Sequence, residues 1–133
     1  MVNVTVEHKD NIMFLDISGS MSFEDIINIT RTYMPQATCH VLFNLTDATM
    51  DESVTFERLC KLPLLAKEQI TERAPNGKSA HVSTDMTTFG MLNMVSIVLE
   101  MGNILQKQKV FKSMNKAIEW LTEEVPLQPA AKV

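Results

Sequence analysis

Apolar and polar positions alternate from the start of the chain: Val2, Val4 and Val6 are interleaved with Asn3, Thr5 and Glu7, the two-residue period of a half-buried strand. The turn-forming "HKDN" separates this run from a second, "IMFLDIS", so the chain opens with a predicted β-hairpin. At Gly19 the strand pattern stops. Ser22 with Asp25 three residues later is a helix-start signature, and Phe23, Ile26, Ile27, Thr30, Tyr33 and Met34 then recur at helical spacing up to Pro35. "CHVLFNL", residues 39–45, is a nearly continuous apolar run and predicts a strand covered on both faces. Helical character extends from Asp51 to Ala74, where Pro63 would cost roughly 3 kcal/mol in a helix interior and so predicts a kink or two short helices. After the "PNG" turn come the strand "KSAHVS", a long apolar stretch, the short strand "KVF" and a closing helix, "SMNKAIEWLTEE", striped with Met114, Ala117, Ile118 and Leu121. Pro126 and Pro129 mark residues 125–133 as an expected disordered tail. The predicted order, ββαβαβαβα, defines one α/β domain over residues 1–124: a mainly parallel sheet with an N-terminal hairpin and helices covering it.

The long apolar stretch, "DMTTFGMLNMVSIVLEMGNIL" (residues 85–105), carries four of the ten methionines. Its longest run without an ionisable residue, Met86 to Leu99, is too short for a membrane span, which needs about 20 residues. Asn93, Ser96, Glu100, Asn103 and Lys107 recur at steps of three and four, predicting one polar stripe that faces water. The remaining arc is wider than one sheet contact requires. Met91, Leu92, Met94, Ile97, Leu99, Met101 and Ile104 are therefore candidates for a protein interface or for the lining of an apolar ligand site, uses that suit methionine's adaptable side chain.

Composition narrows the functional classes. With 133 residues, 45% hydrophobic and 21% charged, the chain is long enough to bury a core. A net charge of −4 disfavours sequence-independent nucleic-acid binding, which relies on clustered Lys and Arg. One local basic cluster exists, Lys107, Lys109, Lys112 and Lys116, and is read as a solvated edge of the last strand. The alternating first residues predict no secretory signal, and the widely separated Cys39 and Cys60 read as reduced thiols, so a cytoplasmic location is expected.

No reaction is signalled. His8, His40 and His81 lack metal-ligand spacing, and Cys39 beside His40 would point to the opposite face of a strand. Glycine-rich phosphate loops and nucleophile elbows are missing from the sequence. Neither a metal, a cofactor nor a catalytic residue is therefore predicted. Asp51 and Glu52 read as acidic residues at a helix start. The most chemically suggestive corner is "NLTDATMDESVT", where Thr46, Asp47, Thr49, Ser53 and Thr55 gather around that predicted start.

"HVLFNLTDATMDESVTFERL" and "KVFKSMNKAIEWLTEE" resemble the central strand, corner and closing segment of the STAS family, the sulfate-transporter and anti-sigma-factor-antagonist fold, especially its small stand-alone bacterial SpoIIAA-like branch. The resemblance implies a non-enzymatic regulatory or interaction domain. It also implies a phosphorylation corner of the form Asp-Ser-Ser-Gly, onto which Glu52, Ser53, Val54 and Thr55 fall in turn. Val54 occupies the usual phosphoacceptor position and carries no hydroxyl, so a switch here would have to use Ser53 or Thr55. Three expectations follow: a protein-interaction module that associates through helix 85–105, with itself as a homo-oligomer or with another protein; a lipid or other apolar-ligand binder; and a phosphorylation-switched regulator with a non-standard corner.

Overall fold

The computed structural model describes residues 2–62, 77–101 and 107–123, with the side chains of Val95 and of 98–101 outside that description. The expected break at Pro63 and the tail at 125–133 also lie outside it. Strands β1 (Asn3–Lys9) and β2 (Ile12–Met21) form the predicted hairpin. Its two turn residues, Asp10 (φ 53°) and Asn11 (φ 65°), take the left-handed backbone of a tight hairpin turn, which Asp and Asn tolerate better than other non-glycine residues. Gly19 does not end β2: its φ of 101° accommodates a conformation that a side chain would strain, and pairing continues to Met21.

Helix α1 (Phe23–Tyr33) begins with the capping box read from Ser22 and Asp25, in which each side chain accepts the other's backbone N–H, and a 3₁₀ turn, Met34–Gln36, follows it. β3 (His40–Met50) runs five residues past its expected end. α2 (Phe56–Leu59), β4 (Lys78–Val82), α3 (Met86–Met101), β5 (Lys107–Phe111) and α4 (Met114–Thr122) complete the order. The sheet runs β1-β2-β3-β4-β5, with β1 antiparallel to β2 and the other neighbours parallel.

Parallel strands laid down in chain order with right-handed crossovers place all their connections on one face. Accordingly α1 and α3 share a core with Met13, Leu15, Ile17, Val41 and Leu45 on that face, and α2 caps its end through Val54 and Leu59. Among the described residues the opposite face is covered by α4, whose Ala117 and Leu121 pack on Ile12, Leu42, Ala80 and Val82. Lys78, only 8% exposed, helps seat that helix: its ammonium donates to the Trp120 carbonyl at 2.7 Å and lies 5.1 Å from the indole centre.

A bulge extends β3. Between the pairs Asp16↔Asn44 and Ser18↔Asp47, β3 advances three residues while β2 advances two. The Asn44 side chain holds the extra residue: its Oδ1 accepts from the Thr46 N–H at 3.2 Å and the Thr46 hydroxyl at 2.8 Å, while its Nδ2 donates to Asp16 at 2.8 Å. The slip inverts side-chain parity, so Ala48 joins Val41 and Leu45 in the same core.

Candidate functional site

The bulge redistributes the predicted corner. Thr46, Asp47 and Thr49 belong to β3, with Asp47 and Thr49 exposed, and are not part of a loop at a helix start. The helix itself begins at Phe56 instead of Asp51, capped by Thr55, whose side chain accepts from the Arg58 N–H at 3.2 Å. Asp51 uses its carboxylate in a turn: Oδ1 accepts the Ser53 hydroxyl at 2.6 Å and the Ser53 N–H at 2.8 Å. The Ser53 Oγ accepts in turn from the Phe23 N–H at 2.9 Å. Since Phe23 is the first residue of α1, Ser53 satisfies a helix-terminal donor across 30 residues of sequence. Val54, onto which the sequence resemblance would lay the phosphoacceptor, is buried against Leu59. Its role is packing.

These bonds set a pH response. The Ser53 hydroxyl, and then its N–H, hold the Asp51 carboxyl below the ordinary 3.8, as the Thr88 hydroxyl and N–H do for Asp85 at the start of α3. A depressed folded-state value contributes stability that is present above the ordinary carboxylate range and lost as the pH falls through the lower value. Denaturation followed by circular dichroism at a series of pH values should therefore show Thr88→Val less stable than the parent chain near neutrality, with the difference shrinking as the pH falls through the carboxylate range.

Helix α3 departs furthest from expectation. Its sheet-facing line is Thr88, Leu92 and Ser96, with Leu92 at 6% and Ser96 at 7% exposure, so Ser96 does not belong to a wet stripe. Facing away are Met86 at 69%, Ile97 at 58% and Met94 at 40%, with Asn93 and Gly90 also exposed. A Cβ built on Gly90 would meet nothing within 4 Å. Of the flanks, Met91 packs against Val54 and Leu59, and Phe89 carries the Lys112 ammonium 5.0 Å from its ring centre. The candidate interface thus divides: Met94 and Ile97 are on the surface, Met91 is half-buried beside α2, and Leu92 is core. Ile104 and the side chains of Leu99 and Met101 lie outside the described residues.

Small hydroxyl residues explain this seating. Thr88 and Ser96 allow the helix to lie close to the sheet, and Thr88 spends its hydroxyl on Asp85 at 2.7 Å. Ser96 Oγ and Ser83 Oγ, both buried, have no hydrogen-bond partner among the described residues, an arrangement that costs about 1–3 kcal/mol per hydroxyl. The helix therefore presents large apolar side chains to solvent while burying polar ones.

The histidines do not converge. His40 Nδ1 accepts from the Lys78 N–H at 3.0 Å, whereas His81 is aligned with Phe43 on the other face, and those two rings stack at 4.7 Å with 6° between their planes. Among the described residues no group of three or more His, Cys, Asp or Glu is placed to hold a metal ion, and no helix is long and apolar enough to cross a membrane. A cleft of about 260 Å³ at the hairpin turn, lined by His8, Lys9, Asp10, Asn11, Thr38 and His40 over Ile12 and Met13, was not anticipated from sequence. Its only sequence signal is the "DN" turn that shapes its rim.

An antiparallel hairpin followed by three parallel crossovers in strand order, with one terminal helix behind the sheet, is the arrangement of a SpoIIAA-like α/β fold. The anti-sigma factor antagonist SpoIIAA, in its unphosphorylated form, aligns over 93% of this chain and 100% of its own at 13% identity, with a TM-score of 0.53. A DUF3478-family protein of SpoIIAA-like fold from Shewanella loihica aligns over 90% of this chain and 93% of its own at 14% identity, also with a TM-score of 0.53. At these identities the likeness is one of fold. No family model and no curated protein matches the sequence.

Proposed function

We propose that the chain is a non-enzymatic protein-interaction or regulatory module that docks partners, a second copy of itself among them, on the outward face of α3. The observation that carries this reading is the inverted helix: Met86, Met94 and Ile97 face solvent while Thr88 and Ser96 face the sheet. Fully burying such an apolar side chain contributes about 1.5–3 kcal/mol, so covering the face is a ready source of binding energy. The described residues of this face, Met86, Gly90, Asn93, Met94 and Ile97, are uncharged, which lowers the desolvation cost a partner would meet there. The fold shared with SpoIIAA, an anti-sigma factor antagonist, is consistent with a regulatory role.

The same face supports a second reading, an apolar ligand such as a lipid held against Met94 and Ile97. Native mass spectrometry of protein purified from its natural host separates these readings. Self-association predicts a species of twice the 15.0 kDa chain mass that grows with concentration. A lipid adds its own mass to one chain, and a phosphate on Ser53 or Thr55 adds a fixed increment to each copy. A bare monomer at every concentration overturns self-association.

A further inference from the structure

Strand β1 borders the sheet on its hairpin side, and among the described residues it pairs with β2 alone. The two-residue turn at Asp10 and Asn11 makes Lys9 and Ile12 a hydrogen-bonded pair, and in an antiparallel ladder such pairs recur at every second residue. Asn3, Thr5, Glu7 and Lys9 therefore bond inward to β2, while the N–H and C=O groups of Val4, Val6 and His8 point out of the sheet. Among the described residues nothing bonds to these outward groups. Edge strands are ordinarily guarded by a proline, a bulge or charges spread along them. β1 has neither proline nor bulge, and its run from Val2 to Val6 is uncharged.

The two faces of this strand differ in chemistry. Val4 and Val6, aligned with Ile17 and Leu15, pack half-buried against the core beneath α1 and keep part of their surface exposed. Thr5 and Glu7 are exposed on the opposite face, where Asp16 lies across from Thr5, and Asp47 is aligned with the next residue of β2 on that face, Ser18. Glu7, Asp16 and Asp47 are all exposed and form no ion pair among the described residues, so this border of the sheet is acidic. Lys9, the only Lys or Arg of β1, sits beside the turn. A second copy of β1 would set one acidic border against another, whereas a strand carrying cations is attracted. We propose that the outer edge of β1 receives an extended basic segment of a partner protein as an added strand, with Lys or Arg at the positions facing Thr5 and Glu7 and apolar β-branched residues between them. Backbone hydrogen bonds to Val4, Val6 and His8 would supply affinity, and the alternating cations would fix register and choose the partner. Apolar residues aligned with Val4 and Val6 would cover what those side chains leave exposed. The surface shares no residue with the outward face of α3 and does not depend on docking there.

The full chain is titrated with a short synthetic peptide alternating lysine and valine, and with its glutamate–valine counterpart, while amide exchange is followed by NMR. In the free chain the amides of Val4, Val6 and His8 should exchange faster than those of Thr5 and Glu7. The basic peptide is expected to bind saturably and to protect those three amides, with the acidic peptide at least about tenfold weaker. Val6→Pro removes an outward N–H and leaves the β1–β2 bonds in place, so it should weaken the basic peptide at least about tenfold. Glu7→Lys, at an exposed position, should weaken the basic peptide and strengthen the acidic one. Circular dichroism checks the fold of both variants, and if Val6→Pro does not fold, Glu7→Lys decides. Failure of the basic peptide to bind, equal binding of both peptides, protection away from β1, full binding by a folded Val6→Pro, or an unchanged preference in Glu7→Lys would overturn the proposal.

Discussion

Leu92→Ala is expected to cost about 2–5 kcal/mol, whereas Ile97→Ala on the same helix should stay within about 0.5 kcal/mol of the parent chain. Both remove a large aliphatic side chain from a mid-helix position. Only Leu92 leaves a cavity, because it is 6% exposed between α3 and the sheet while Ile97 is 58% exposed. Ala also suits a helix slightly better than Ile, which offsets part of any contact Ile97 loses. Urea denaturation at sub-micromolar concentration, where association does not contribute, measures both. Similar losses at the two positions would mean that α3 is rotated relative to the sheet and that its outward face is misassigned.

Ser53→Ala comes next in size, with an expected loss of about 1–2 kcal/mol. The hydroxyl bridges two segments: it accepts from the Phe23 N–H at the start of α1 and donates to Asp51. Alanine leaves that N–H without its acceptor and frees the Asp51 turn, so the acid sensitivity contributed by Asp51 should weaken in the same variant. Thr55→Ala, which removes an exposed cap from a four-residue helix, should cost less. A phosphate on Ser53 would take away the hydrogen that Asp51 accepts and set negative charge beside a carboxylate, so modification there would open the corner. Equal denaturation midpoints for Ser53→Ala and the parent chain would contradict the bridging role.

The order of elements was readable in the sequence because each depends on local rules. Period-two alternation placed β1 and β2, and the Ser22/Asp25 box placed the start of α1 at the observed residue. Features that depend on partners distant in sequence were not readable. The length of β3 rests on a bulge that Asn44 stabilises from inside the strand, so the turn-like "NLTDAT" did not show that pairing with β2 would continue to Met50. Asp51 resembled a helix start because a carboxylate that closes a turn onto Ser53 has the same local signature as one that caps a helix.

The α3 face illustrates the same division more sharply. Polar spacing assigned Ser96 to water and left the apolar arc to be divided between neighbours. Which side of a nearly all-apolar helix meets the sheet is decided by steric fit, and the small Thr88 and Ser96 fit beneath it where Met94 and Ile97 do not lie. The candidate interface narrowed accordingly, losing Leu92 to the core and gaining Met86 beside Met94 and Ile97.

Sedimentation equilibrium of the full chain beside Ile97→Glu tests the interaction face most directly. The parent chain is expected to associate reversibly beyond 15.0 kDa with rising concentration, and Ile97→Glu to remain at the monomer mass with an unaltered circular dichroism spectrum and denaturation midpoint at low concentration. A parent chain that stays monomeric throughout, or an Ile97→Glu variant that associates as strongly as the parent, would contradict self-association through the outward face of α3.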